Sequence, residues 1–433
     1  MYSIYTILHA SLSSILDRFR QLLPPSLLEE IARQSGFVRR KPRKITPGGF
    51  LHSCLLAVSS GAVSLRRQAI FLGFMEGATL SKQGLHHRMG QAALPFLTGI
   101  LSHLLSLQLG ARSLTSSSFS RILIQDSTCL ALPAAHFPRF PGSANAFGHS
   151  ACARIQCVFD LLAERFVSFS LSPFTRNDQA AACDLLPLLR PGDLLLRDLG
   201  YFTTHSLQLI ARAGAFFLTR RHAGTALFHP KTGLALDLLP LLSATRTTDL
   251  PVLLGSSQRL PLRLLAFPLP QQIADARRRK ARSNRDRRIN HSKEYYALLS
   301  WAIFLTNADS SLLPSSRAAD LYRLRWRIEI LFKSWKSHLG LLPLSLVAPR
   351  QFECLLCSLL ILSLLFHHSL PCNLRSLSLL KLSSLFSDLF LPLFFYSLPP
   401  PSLHSLFLPQ ILAHCSYEKR RRNHFLHLLS RLC

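Results

Sequence analysis

Apolar residues recur along this chain with two different spacings. Up to about residue 120 the spacing is helical. The stretch LLPPSLLEEIARQSG has a Pro-Pro start, early acids and a glycine stop, all helix-end signals. A basic linker, VRRKPRKITPGG, follows. TLSKQGLHHRMGQAALPFLTGILSHLLSL then predicts a serine-capped helix kinked near Pro95, with Lys82, His86, His87 and Arg88 near its start. That cluster suits phosphate contact and, equally, an ordinary solvated face.

From about residue 120 the period shortens to two. RILIQDST is a short β-branched run ending in Asp126, and ARIQCVFDLL and RFVSFSLSP alternate like two strands of a hairpin or meander. NDQAAACDLLPLL predicts a capped helix. GDLLLRDLGYF predicts a buried strand ending at Asp198, with a turn at Gly200. THSLQLIARAG reads as a helix with a glycine stop, and AFFLTR as another strand. Strands paired locally first, then alternating with helices, specify a mixed α/β core. Residues 221–297 break this rhythm with short strands punctuated by Pro, Gly and Ser. They end in ADARRRKARSNRDRRINHSK, an exposed helix and loop dense in Lys and Arg. YYALLSWAIFLTNAD restores a strand. Tyr322 to Lys336, YRLRWRIEILFKSWK, predicts one continuous helix, and a Leu/Ser-rich helical tail of low complexity completes the chain.

On a wheel of about 100° per residue, Leu324, Ile328, Leu331 and Trp335 form the apolar face of that helix. Tyr322, Arg325, Glu329, Lys333 and Lys336 fall within about 80° of arc on the other side. Pairing of Arg325 and Lys333 with Glu329 is worth only about 0.2–0.5 kcal/mol per pair, and it leaves the tyrosine and the far lysine unexplained. A phosphate-binding face whose one acid holds a cation explains the whole stripe.

Charge sharpens this picture. Lys and Arg number 50 against 22 acids, a formal charge of +28 over 433 residues. Such an excess points to a polyanion, nucleic acid ahead of an anionic membrane. Two or three domains are expected at this length, and 48% hydrophobic residues allow a large core. The N-terminus shows no signal-peptide pattern. CLLCSLLILSLLF (354–366) falls short of the roughly 20 residues of a membrane span. The longer apolar stretch 377–398 carries Lys381, Asp388 and Pro392, so buried helices are the better reading of both. The one close cysteine pair, Cys354 and Cys357, has no second pair at zinc spacing and reads as buried helix thiols. Scattered thiols suit a reducing cytoplasm.

One glutamate is a poor magnesium site, because phosphoryl transfer uses ions held by several carboxylates. Asp126 and Asp198, at the ends of apolar strands, are placed to join Glu329. Asp193 follows Pro-Gly at a strand start and reads as a turn residue, and Glu353 lacks the basic stripe.

Here the sequence resembles a known family. Tyr322, Arg325, Glu329 and Lys336 match the Tyr-x2-Arg-x3-Glu-x6-Lys signature of IS4-family DDE transposases. DLGY at 198–201 looks like the family motif around the second catalytic aspartate, and Asp126 matches the position of the first. The resemblance covers about 75–350 well and the helical ends loosely. It implies an RNase H-like mixed-sheet core interrupted by a β-rich insertion and flanked by helical N- and C-terminal regions. The corresponding segments are 1–118 (helical, DNA-binding), 119–220 (core), 221–297 (insertion with the basic segment), 298–345 (core with the signature helix) and 346–433 (helical tail). It implies that Asp126, Asp198 and Glu329 hold two Mg²⁺ ions, with Mn²⁺ able to substitute, and that Arg325, Lys333, Lys336 and Tyr322 contact phosphate. Trp301 resembles the tryptophan that stacks near a flipped transposon-end base. Expected partners are double-stranded DNA, as inverted repeats and target, and a second copy in a homodimer. The expected setting is the bacterial cytoplasm, at the nucleoid, with no membrane. The expected reaction is metal-dependent cleavage at transposon ends, through a hairpin, then joining of 3′-OH ends to target DNA. An inactive or repurposed transposase that only binds DNA is the alternative, and a basic membrane-associated protein is a third reading.

Overall fold

The computed structural model describes residues 21–40, 44–109, 118–145, 148–243, 248–283, 291–369, 378–385 and 387. Most of the C-terminal tail, the first twenty residues and part of the basic segment after residue 283 lie outside the described residues.

Among the described residues, five helices precede the first strand: α1 (Pro25–Gln34), α2 (Pro47–Ser59), α3 (Leu65–Glu76), α4 (Lys82–Arg88) and α5 (Ala93–Leu109). The predicted kinked helix is thus two helices, bent by 62° between α4 and α5. The break lies at Met89–Ala92, and Pro95 sits in the first turn of α5, where its missing N–H costs nothing. Ser81 caps α4 by accepting from the Gly84 N–H.

Strands follow: β1 (Ile122–Leu132), β2 (Pro141–Asn145), β3 (Gly148–Asp160), β4 (Arg165–Pro173) and β5 (Leu194–Arg197). Then come α6 (Thr204–Arg212), β6 (Phe216–Arg220), β7 (Leu227–Phe228), α7 (Leu238–Ser243), β8 (Thr248–Leu254) and β9 (Leu260–Pro268). α8 (Gln271–Arg282) and α9 (Lys293–Leu298) lead to β10 (Trp301–Thr306), and α10 (Ser315–Arg323), α11 (Trp326–Ser337), α12 (Pro349–Ser369) and α13 (Leu379–Leu385) follow. Among the described residues the strands form one ten-stranded sheet, ordered β2-β3-β1-β5-β6-β10-β9-β8-β7, with β4 also on β3. β5 is parallel to both β1 and β6, and the remaining pairs are antiparallel. Strands from residues 227–268 therefore lengthen the same sheet through β9 on β10.

Two expectations change. The run 177–189 forms turns and a short 3-10 segment at Leu186–Leu188, because Asn177 and Asp178 spend their side chains on turn and long-range bonds. β1 does not end at Asp126. It runs on to Leu132 because β3 pairs with it as far as Leu132↔Ala151.

One face of the sheet packs on the helical ends. Trp335 of α11 is fully buried against Phe166 and Phe169 of β4, and its indole donates to Ser363 of α12. α12 meets α5 and α2. It is long and apolar enough to cross a membrane, yet 83% of its apolar window is buried inside the protein, as a core helix would be. Cys354 and Cys357 lie in it as buried free thiols, pushed up to about 12 chiefly by burial. Gly340, at φ 76°, closes the turn after α11 against the Val58 carbonyl, where any Cβ would collide. The other face is covered by α6 and α7 over β8 and β9.

His367, edge-on to Phe166, is held neutral in this core. Burial, reinforced by the charges of Arg327 and His368, pushes it down to about 3 from an ordinary 6.5. The unfolded chain takes up that proton first as pH falls below 6.5, so this contribution is complete above 6.5 and is lost on acidification. Between pH 7 and pH 5 the loss should be about 2 kcal/mol. Denaturant titrations at the two pH values should show His367→Phe losing less stability on acidification than the wild type by that amount.

Candidate active site

The site forms where β1 and β5 separate. Their parallel register runs from Ile122↔Leu194 to Gln125↔Arg197, which sets Asp126 and Asp198 next to each other, one residue further along. β5 then turns away into a 3-10 turn, Leu199–Tyr201, with Asp198 at its N-cap, while β1 continues along β3. Carboxylates at that fork are held by backbone on one side and open on the other.

The helical contribution comes from the junction of α10 and α11. The single helix predicted over 322–336 is broken at Leu324–Arg325. The junction is tightened by i→i−3 bonds, Arg325 N–H to the Tyr322 carbonyl and Arg327 N–H to the Leu324 carbonyl. Residues three apart eclipse in such a turn, so Tyr322 and Arg325 both reach the sheet. The Tyr322 phenol is buried and donates to the Arg197 carbonyl at 2.9 Å, one residue before Asp198. In this structure it bonds the sheet rather than standing on an outer phosphate-facing stripe. Burial, with the Asp198 charge adding to it, pushes that phenol up to about 12.

Arg325 ties the acids together. Its Nη1 donates to Asp126 Oδ2 at 2.7 Å and its Nη2 to Glu329 Oε1 at 2.8 Å. The Arg325 side chain is 8% exposed, that of Asp126 16% and that of Glu329 38%, so Glu329 is the more solvent-exposed of the two acids that Arg325 bridges. Burial raises Asp126 to about 6; Arg325 and the Ser127 N–H pull it down, and Asp198 and Glu329 push it up. Burial opposes the Arg325 charge, yet Asp126, Tyr322, Asp198 and Glu329 outweigh it and hold Arg325 above its ordinary value. The structure therefore brings Asp126, Asp198 and Glu329 within mutual electrostatic reach around one arginine.

The competing acids go elsewhere. Asp193 is fully buried at the opposite end of β5, bidentate to Arg121 at 2.9 and 2.5 Å. Glu353 pairs with Arg139 at 3.1 Å. Lys336 lies half-buried over β1, close enough for its charge to act on the Cys129 thiol, and Lys333 is exposed. Trp301 opens β10 and lines a cavity of about 610 Å³ with Leu199, Arg220, His222, Arg277 and Tyr295.

Four positively charged or aromatic groups were not singled out as site residues from the sequence, although Arg277 lies in its basic segment. Arg220 ends β6, the strand parallel to β5, on the same edge as Asp198, and a charged residue closing the apolar run AFFLTR was the available signal. Arg277 of α8 donates to the Trp301 carbonyl. Trp326 is 60% exposed beside Arg325, an apolar ring where the helix wheel had only polar residues. Arg154 has no sequence signal, because its partner Asp178 is distant in the chain.

Three carboxylates are the donor set of a hard divalent cation. Among the described residues no three acid, His or Cys side chains stand at metal-ligating spacing; Arg325 lies between Asp126 and Glu329 instead. The acids fit such an ion in kind, and Arg325 marks where positive charge is needed.

Fold and site thus define a basic α/β protein with an acidic centre at a sheet fork. Residues 117–365 match the family described as "Transposase DDE domain", and the chain belongs to that family. It is 30% identical over 357 residues to the transposase for insertion sequence element IS231C of Bacillus thuringiensis subsp. berliner, covering 77% of this chain and 74% of that one. It is 25% identical over 364 residues to the transposase for insertion sequence element IS1151 of Clostridium perfringens, covering 78% and 76%. The cryo-EM structure of a piggyBac transposase synaptic complex with hairpin DNA is 9% identical, with a TM-score of 0.43 over 96% of this chain and 85% of that chain; no residue correspondence follows at that distance. Family membership makes this a DNA-cleaving and strand-transferring enzyme that uses a divalent metal.

Removing Arg325 leaves two partly buried carboxylates facing each other. Arg325→Met should cost about 3 kcal/mol in a denaturant titration without metal. Glu329→Gln, at the exposed end of the bridge, should cost under about 1 kcal/mol.

Proposed function

We propose that this chain is the transposase of an IS4-type insertion sequence, and that Asp126, Asp198 and Glu329 are its catalytic and metal-holding residues. The observation that carries the reading is the bridge of Arg325 between Asp126 and Glu329, with Asp198 beside Asp126 on the neighbouring parallel strand. The order β4-β3-β1-β5-β6, with β1, β5 and β6 parallel and α6 crossing over, supports an RNase H-like core. β7, β8 and β9 are then the inserted strands.

Two divalent ions, Mg²⁺ or Mn²⁺, would supply an activated water or 3′-OH and shield the leaving oxygen. The chain's own groups do the rest. Asp126 and Asp198 are brought side by side by a parallel register that stops one residue before them. Glu329 is the more mobile, outward acid. Arg325 can offer a bidentate phosphate contact only by giving up its bonds to Asp126 and Glu329, whereas Lys333 and Lys336 offer point charges along α11. Tyr322 contributes by tethering the helix junction to the strand that carries Asp198, and its buried phenol places any phosphate contact second to that role. Trp301, which lines a cavity together with Arg220, Arg277 and His222, is suited to stack a base drawn out of the transposon end. The reaction runs through a hairpin at the element's end and then strand transfer into target DNA, in a homodimer that holds two ends in the cytoplasm.

The charge of +28 alone equally suits a transposase reduced to DNA binding, but the three acids kept at one site favour catalysis. With Mg²⁺ or Mn²⁺ the full chain should nick the inverted repeats that flank its own gene. Asp126→Ala, Asp198→Ala and Glu329→Ala should each abolish cleavage in a gel assay and keep end binding. Lys336→Ala should weaken end binding and flatten its salt dependence by about one unit of log–log slope. Normal cutting by Glu329→Ala would overturn the assignment.

A further inference from the structure

A fourth carboxylate stands beside the site and touches both aspartate-bearing segments. Asp178 lies in the turn that follows β4. Its Oδ1 accepts from Ser127 Oγ at 2.8 Å, from Arg154 Nη1 at 2.7 Å and from Gln156 Nε2 at 3.0 Å. Ser127 is the residue after Asp126. Gln156 is its partner across β1 and β3, and Gln156 Oε1 in turn accepts from the Tyr201 phenol. Tyr201 is fully buried and ends the 3-10 turn whose N-cap is Asp198. The other Asp178 oxygen packs against Gly200 of that same turn, only 3.1 Å from where a Cβ would stand.

The position of this network gives it a task. Past Gln125↔Arg197, β1 has no backbone bond to the segment leaving β5. Nothing in the ladder fixes Asp198 relative to Asp126 at the level where both carboxylates project. The chain Ser127–Asp178–Gln156–Tyr201 closes that gap with side chains. Arg154, 9% exposed, neutralises Asp178 and so keeps its charge from competing for a cation. Asp178 is therefore not a further ligand.

We propose that Asp178 is the positioning residue of this site, setting the distance between the Asp126 and Asp198 carboxylates through Ser127 on one side and Gln156–Tyr201 on the other. This rests on the assignment of those two aspartates as metal-holding residues. Groups that orient metal-bearing side chains typically cost about 10–100-fold in affinity or rate when removed.

The test uses the full chain pre-bound to its end DNA, with single-turnover cleavage measured across a Mn²⁺ titration. Asp178→Asn keeps the shape and loses the charge pair. It should slow cleavage at least about tenfold and raise the Mn²⁺ needed for half-maximal rate, with end-DNA Kd unchanged. Tyr201→Phe cuts the same chain further along, so it should have a smaller effect and add little in the Asp178→Asn background. Wild-type rate and wild-type Mn²⁺ requirement in Asp178→Asn would overturn the proposal. So would slower cleavage with an unaltered Mn²⁺ requirement and a parallel loss of DNA binding, which is what a merely structural residue gives. If the wild type neither binds Mn²⁺ nor cuts, the functional assignment falls and takes this one with it; if the wild type cuts and Asp178→Asn matches it, only this one falls.

Discussion

Three carboxylates cannot be gathered in a half-buried place without a cation among them. In this protein the guanidinium of Arg325 meets that constraint, and much of the architecture serves to deliver it. The parallel pairing of β1 with β5 sets Asp126 beside Asp198. The tightened junction between α10 and α11 points Tyr322 and Arg325 at the same sheet, the first locking onto the β5 backbone and the second onto Asp126. Glu329 follows one helical turn later, close enough to share the guanidinium and exposed enough to exchange it for another partner. The buried indole of Trp335 and the ion pair of Arg327 with Glu164 hold the far side of α11 to β4 and its loop.

Much of this was legible in the sequence, for definite reasons. The mixed α/β class followed from the change of period near residue 120. Glu329 stood out as the one acid in a basic helical stripe, and Asp126 and Asp198 as acids at the ends of apolar strands; a lone carboxylate is a poor site for a divalent ion, so the three were read together. Asp193 could be set aside from its place after Pro-Gly, and the structure gives it a different partner, Arg121. The buried reading of Cys354 and Cys357 also agrees with their place in α12.

What stayed hidden depends on pairing between distant residues. The helix wheel assumed 322–336 to be unbroken, and no proline or glycine in that stretch signals otherwise. The break comes from tertiary anchors at Arg197 and Asp126, which a local pattern cannot register. β1 looked short because Gln125, Asp126, Ser127 and Thr128 interrupt its apolar run, while its continuation to Leu132 rests on the ladder to distant β3 and on burial of Leu130 and Leu132 in the core. The run at 177–189 has helical composition, yet Asp178 is drawn away to Arg154 and Ser127. The insertion looked separate in composition, whereas β9 on β10 makes its strands part of the core sheet.

If Asp126, Asp198 and Glu329 act as one cation-holding unit, the bound ion can be located directly on the polypeptide. Fe²⁺ bound in place of the natural ion, with ascorbate and peroxide, generates hydroxyl radicals that cut backbone beside its ligands. Three sets of fragments are expected, ending near residues 126, 198 and 329, all lost together in Glu329→Ala and all suppressed by excess Mg²⁺. Cuts elsewhere, or loss of the fragments near 329 alone in that variant, would contradict it.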